Sequence, residues 1–140
     1  LRSLVGSEMC IRDSFNAELI IIAPSNPLVS IKPILEIPGF KSIIQKNNKK
    51  VIAISPLIQG KAVKGPASKM LKQLGFKPNS FSCMQFYKDI CKSFILDRSD
   101  IGSEKQFISL NQKPIFTNTL MTSLAEKRRL AKFIINQPID

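Results

Sequence analysis

The chain has 140 residues, 44% hydrophobic and 22% charged, with a formal net charge of +11 from 21 basic and 10 acidic side chains. That length and composition suit one globular domain or a piece of one, with enough chain to bury a core. Histidine is absent, which excludes a Ser-His-Asp triad, a Cys-His dyad and any His-ligated metal within the chain.

No apolar run approaches the roughly 18 residues needed to span a bilayer, and no basic-then-apolar secretory leader is present, so no membrane is expected and the cytoplasm is the expected compartment. The three cysteines, Cys10, Cys83 and Cys91, form no close pair and read as free thiols rather than a disulfide framework or zinc cluster. The basic excess raises nucleic acid as a partner. However, the densest clusters, "QKNNKK" and "EKRRLAK", lack interleaved aromatics, and no helix-turn-helix or zinc-finger pattern occurs. No nucleic acid is therefore expected; the charge suits a solvated basic surface or a site for an anionic small molecule.

In chain order, "LRSLVGSEMCIRDS" has no helical or strand period and joins the next segment without a turn. It resembles a peptide that recurs at the ends of proteins translated from environmental sequencing, where adapter sequence is read in frame. Residues 1–16 are therefore expected to be a non-native leader, and 17–140 the C-terminal part of an α/β domain. "AELIII" is a continuous apolar run closed by a Pro-rich turn, the pattern of a strand covered on both faces. A helix is expected from Ser30, with Ser30 as its cap and Pro33 in its first turn. "FKSIIQK" has helical spacing after Pro38-Gly39, and "VIAIS" is a second buried strand. "GPASKMLKQLG" places Pro66 at a first helical position and Gly75 just past the end.

Phe81, Met84, Tyr87 and Cys91 mark the core face of a further helix. "SFILD" reads as a third strand, "IGSEKQFISL" as a helix and "KPIFT" as a fourth strand. A capping box, Ser123 with Glu126, opens the last helix, whose expected buried face is Leu124, Leu130, Ala131, Ile134 and Ile135. The alternation implies a mostly parallel sheet with helices on both faces, a Rossmann-like three-layer α/β fold present as a partial domain.

Ligands of such sheets sit at the carboxyl ends of the strands. Here those ends carry "PSNPLVS", "SPLIQGKAVKGP", "DRSD" and "TNTLM". Ser25, Asn26 and Ser30 offer donors and acceptors beside a helix start, which suits a phosphate, although the same residues form ordinary turns. "GKAVKGP" lacks the Walker A spacing. Yet Gly60, Lys61, Lys64 and Gly65 make a Gly-bracketed loop with two lysines three apart, which suits a diphosphate. Asp97 and Asp100 could hold a hard cation such as Mg²⁺, or be a helix cap and a solvated turn. Thr119 reads equally as structural or functional.

"APSNPLVSIKPILEIPG", "ISPLIQGKAVKGPASKML", "FILDRSD" and "NTLMTSLAEKRRLAKFII", in this order, resemble the C-terminal half of the 2-phospho-L-lactate transferase family of coenzyme F420 biosynthesis. The resemblance implies transfer of a 2-phospholactyl (or phosphoenolpyruvyl) group from a guanosine diphosphate-activated donor to the deazaflavin precursor, with GMP leaving and Mg²⁺ assisting. Lys61 and Lys64 are then the expected charge stabilisers. The resemblance also implies a homodimer. A sister family linked to gluconeogenesis and cell shape shares the fold and implies the alternative, a non-catalytic regulator binding a nucleotide sugar. It generally carries a Gly-Ser-Leu-Tyr type sequence where this chain has "PSNP". The family usually has Ala-Asp where Ala67-Ser68 stands, and its glycine-rich front half has no match here.

Overall fold

The computed structural model describes residues 2–138; Leu1 of the expected leader and the last two residues of the expected domain lie outside them. Helix α1 spans Arg2–Asn16 and strand β1 Ile20–Ile22. A π-helical turn, Pro27–Ile31, runs into α2, Lys32–Leu35, and α3 is Phe40–Lys46. Then come β2 (Val51–Ile54) and a short hairpin of β3 (Leu57–Ile58) and β4 (Lys61–Ala62). Helices α4 (Ala67–Gln73) and α5 (Ser80–Met84) precede β5, Ser93–Asp97. A 3₁₀ segment, Arg98–Ser103, leads into α6 (Glu104–Ile108), β6 (Lys113–Thr117) and α7 (Leu124–Ile135). Among the described residues no helix is long and apolar enough to cross a membrane.

The four expected strands form one sheet in the order β1-β2-β5-β6, every pair parallel. The register sets Ile20 beside Val51, Ile52 beside Ser93 and Asp97 beside Thr117. Alternate side chains therefore divide between two faces. Ile22, Val51, Ala53, Phe94 and Leu96 pack with Ile44, Leu71, Met84 and Phe107 from α3, α4, α5 and α6. Phe107 meets Phe81 edge to face at 5.1 Å and tilts against Phe94 at 5.6 Å, an arrangement that adds to plain area burial. On the other face Ile52, Ile54 and Ile95 meet Leu130 and Ile134 of α7. The strand order never reverses, so crossovers of one hand keep α3 to α6 on a single face. The third layer is α7, which returns across the sheet after its last strand.

Several expectations need correction. The periodless leader is helical; its composition of Leu, Glu, Met and Arg is enough for a local helix, and Met9 and Phe15 stay 54% and 59% exposed. Ser30 is not the cap of its helix. Asn26 instead caps the π-helical turn that leads into it, its Oδ1 accepting from Leu28 N–H at 3.0 Å and Val29 N–H at 3.5 Å, and α2 follows from Ile31 with no side-chain cap. Pro66 is the N-cap of α4 rather than its first helical residue. Gly75, at φ +80°, ends that helix as expected. On α7, Leu124 and Ile135 are 62% and 65% exposed and Ala131 is also exposed, because one helix on one sheet face can seat only the stripe through Leu130 and Ile134. Of the expected core face Met84, Tyr87 and Cys91 are buried and Phe81 is half-buried, although α5 itself ends at Met84 and a 3₁₀ turn, Gln85–Tyr87, follows; burial pushes both Cys83 and Cys91 up to about 12, so these thiols stay protonated and inert.

The narrow seat of α7 gives a contrast within one helix. Leu130→Ala is expected to cost about 2–5 kcal/mol, the usual range for a buried leucine. Ile135→Ala should change stability by no more than about 0.5 kcal/mol. Urea unfolding of both variants reads the difference, and equal losses would mean that α7 buries a wider face.

Candidate functional site

All four polar strand ends meet at one edge of the sheet. Between them lies a cleft of about 460 Å³ lined by Ser25, Asn26 and Ser30 of the first loop, Ser55 at the end of the second strand, and Lys64 and Gly65 beyond the hairpin. Thr119, Met121 and Lys127 close it from the fourth loop and α7. A smaller cleft of about 290 Å³ lies at the opposite strand ends, between Lys49, Lys92 and Lys113, away from these loops.

The structure brings together most of the residues singled out in the sequence, and gives each a definite situation. Asn26 spends its carbonyl on the turn and points its amide at Met70 Sδ, 3.3 Å away. It shapes the first loop from within, leaving Ser25 and Ser30 as the hydroxyls on the cleft wall. Lys64 lines the cleft, whereas Lys61 sits in β4, exposed and outside the lining. Gly60 is also outside. It forms the hairpin tip at φ +74°, and a Cβ there would come within 2.3 Å of the Pro78 carbonyl oxygen, so only glycine fits that approach.

Asp97 ends β5 almost fully buried, 8% exposed. Its Oδ1 accepts from Ser99 N–H at 3.0 Å and Ser99 Oγ–H at 2.6 Å. Its Oδ2 accepts from Thr119 N–H at 2.9 Å and Thr119 Oγ–H at 3.2 Å. Burial works to raise this carboxyl, but the donors, the Ser99 hydroxyl foremost, together outweigh it and hold it below the ordinary 3.8. Asp100 is engaged elsewhere: Oδ1 accepts from Gln59 N–H at 3.0 Å and Oδ2 from Ser80 Oγ–H at 2.7 Å. An ionised carboxylate has about four lone-pair positions. Asp97 has filled all of them, and Asp100 is tied at both oxygens to separate segments. The pair does not fit a shared cation, and no cluster of three or more acidic, Cys or His side chains occurs among the described residues.

Three contributors escaped the sequence reading. Ser55, 2% exposed, merely ends an apolar run; the signal was a polar residue at the last position of a buried strand. Lys127 follows the capping box by one residue, in the first turn of a helix aimed at the strand ends. Arg129 donates to Thr117 Oγ at 3.3 Å and to the Asn118 carbonyl, which steadies the fourth loop from α7. The capping box itself is present, with Glu126 held below its usual range first by the Thr122 hydroxyl.

A family model described as 2-phospho-L-lactate transferase CofD matches residues 9–128. The chain belongs to this family. It is 37% identical over 120 residues to the 2-phospho-L-lactate transferase of Methanosarcina barkeri, covering 86% of this chain and 38% of the relative. The transferase of Methanocaldococcus jannaschii is 40% identical over 120 residues, 86% of this chain and 37% of the relative. That of Methanococcoides burtonii is 39% identical over 117 residues, 84% and 38%. The chain thus spans a little over a third of the length of these relatives. Within this transferase-family chain the matched region takes in all four strands and the whole cleft.

The bonded state of Asp97 has a consequence for acid stability. A carboxyl held below 3.8 in the fold stabilises the native state above that value, and the contribution is lost as the pH falls through the folded-state value. Asp97→Asn, which cannot be ionised and turns a donor toward Thr119 or Ser99, is expected to lower stability at neutral pH and to flatten this acid limb. Denaturant unfolding between about pH 6 and about pH 2 checks it; an unchanged acid limb would assign the pH dependence to other carboxylates.

Proposed function

We propose that the cleft binds the diphosphate of a guanosine diphosphate-activated donor carrying lactate or its enolpyruvyl counterpart. The donor's 2-phospholactyl (or phosphoenolpyruvyl) group then passes to a hydroxyl of the deazaflavin precursor of coenzyme F420, and GMP leaves. The single observation that carries this reading is the convergence of Ser25, Ser30, Lys64 and Thr119 on one cleft in a chain of the transferase family. Phosphoryl transfer needs positioning and charge neutralisation more than a nucleophilic side chain, so a histidine-free site suits it. Lys64, rather than Lys61, is the charge stabiliser in this reading, since it alone of the two faces the cleft. Mg²⁺ belongs to the reading as a companion of the donor's phosphates, and no step is assigned to it, because Asp97 and Asp100 do not fit as its ligands. The assembled enzyme is read as a homodimer, and residues 1–16 as a leader of foreign origin, on the sequence resemblances alone.

Calorimetric titration with guanosine diphosphate tests the reading. Lys64→Met is expected to weaken binding by about 1.5–3 kcal/mol, the scale of a lost hydrogen bond to a charged group. Lys61→Met, on the hairpin, is expected to stay within about 0.5 kcal/mol of wild type, as surface substitutions do. Equal effects of both, or none, would return these lysines to the solvated basic surface.

A further inference from the structure

We infer that Asp100 is a positioning residue: it locks the β3–β4 hairpin so that the Lys64–Gly65 loop is held at the cleft, and this, not metal ligation, is its role. The inference rests on the reading of the cleft as a diphosphate site and says what fixes one wall of it.

The connection from β2 to α4 leaves the sheet at Ser55, turns through the hairpin and passes Lys64 before entering α4 at Ala67. An arm of this kind has little core of its own; β3 and β4 share two residue pairs. Its tip is therefore anchored from outside. Gln59 stands at φ +49°, a left-handed conformation that costs a non-glycine residue roughly 1–3 kcal/mol unless its surroundings hold it. Asp100 supplies the hold by accepting the Gln59 N–H. Gly60 passes too near the Pro78 carbonyl to leave room for a side chain, and its own carbonyl accepts from Ser68 Oγ–H at 2.8 Å. The tip is thus bound on three sides. At the arm's base, Val63 N–H reaches the Pro56 carbonyl at a long 3.4 Å, and an added Cβ on Gly65 would touch nothing within 4 Å.

The second carboxylate oxygen links this anchor to the cleft itself. An ionised carboxylate only accepts, so the Ser80 hydroxyl must donate to Asp100 Oδ2. Ser80 Oγ is then free to accept from Ser55 Oγ, 3.1 Å away, while Ser55 Oγ accepts from Leu57 N–H at 3.1 Å. Ser55 and Ser80 are 2% and 1% exposed. The Ser55 hydroxyl has two acceptors at 3.1 Å, Ser80 Oγ and the Leu57 carbonyl; when it turns to Ser80, the bonds run in one direction from the cleft wall to Asp100 and each buried oxygen is satisfied.

Asparagine can replace aspartate here. Its Oδ1 would still accept from Gln59 N–H, and Ser80 could accept from its amide and turn its own hydrogen to the Leu57 carbonyl, already 3.2 Å away. A carboxylate that held Mg²⁺ would lose its charge in the same change and bind the ion more weakly. The experiment compares wild type, Asp100→Ala and Asp100→Asn by amide exchange at Gln59, guanosine diphosphate affinity, and the magnesium dependence of that affinity. Asp100→Ala is expected to speed Gln59 exchange and to weaken the nucleotide about tenfold, the scale of one lost charge-assisted contact, with its magnesium response kept; Asp100→Asn should restore both. An Asn variant as weak as the Ala variant and deaf to magnesium would overturn the inference, as would Gln59 protection unchanged in Asp100→Ala. Should Asp100→Ala not fold, Ser80→Ala against Asp100→Asn carries the same contrast. If wild type does not bind the nucleotide, the reading of the cleft fails, while Gln59 exchange still decides the role of Asp100.

Discussion

The parallel pairing of β2 with β5 is the constraint from which the rest follows. Val51–Ile54 is buried at every position, and Phe94, Ile95 and Leu96 show no exposed surface, so these strands need cover on both faces. Parallel strands cannot be joined by a tight turn; the chain must climb back over the sheet, and helices satisfy its backbone on the way. Each return delivers a loop to the same edge. The cleft is thus a geometric consequence of a hydrophobic pattern, before any residue in it is chosen.

Much of that scaffold was legible because it depends on local signals. The continuous β-branched run of β2 marks a doubly covered strand, the same pattern at β1 overstates its cover because Ile21 is 44% exposed at the sheet edge, and the Ser123–Glu126 capping box fixes the start of α7 within a residue. The hairpin Leu57–Ala62 was not legible, since two-residue strands carry no period. Nor was the exposure of Leu124 and Ile135, because helical spacing reports which residues share a face but not how wide a neighbour that face will find. At the first loop the sequence supplied the right residues and the wrong division among them. Asn26 caps the turn through Leu28 N–H, a side-chain–backbone bond that competes with Ser30 for the same function and wins by starting the turn four residues earlier.

The two aspartates show why a site is harder to read than a fold. In sequence they are three apart and suggest a shared ion. In space each takes donors from far along the chain: Thr119, 22 residues from Asp97, joins the neighbouring Ser99 there, and Gln59 lies 41 residues from Asp100. Burying a carboxylate is tolerable only when such donors arrive together. The aspartates are therefore joints. Asp97 binds the third loop to the fourth, and Asp100 binds the third loop to the hairpin.

Joints of this kind matter for an anion because they separate attraction from orientation. The basic excess of +11 is spread over long, exposed side chains; the Lys32–Glu36 pair, at 3.6 Å and more than half exposed at both ends, typifies a surface contact of little energetic weight. Such charges draw an anionic ligand toward the molecule, but flexible stems do not fix its direction. In the proposed diphosphate reading, direction comes from short groups on braced backbone: hydroxyls at Ser25 and Ser30 on a turn held by Asn26, and Thr119 on a loop held by Asp97. Thr119 is informative here. Its hydroxyl hydrogen and its amide are both committed to Asp97, so toward the cleft it presents lone pairs. It can accept from a hydroxyl or an N–H of a ligand but cannot donate to a phosphate, so in the proposed diphosphate reading phosphate contact falls to the serines and Lys64 across the cleft.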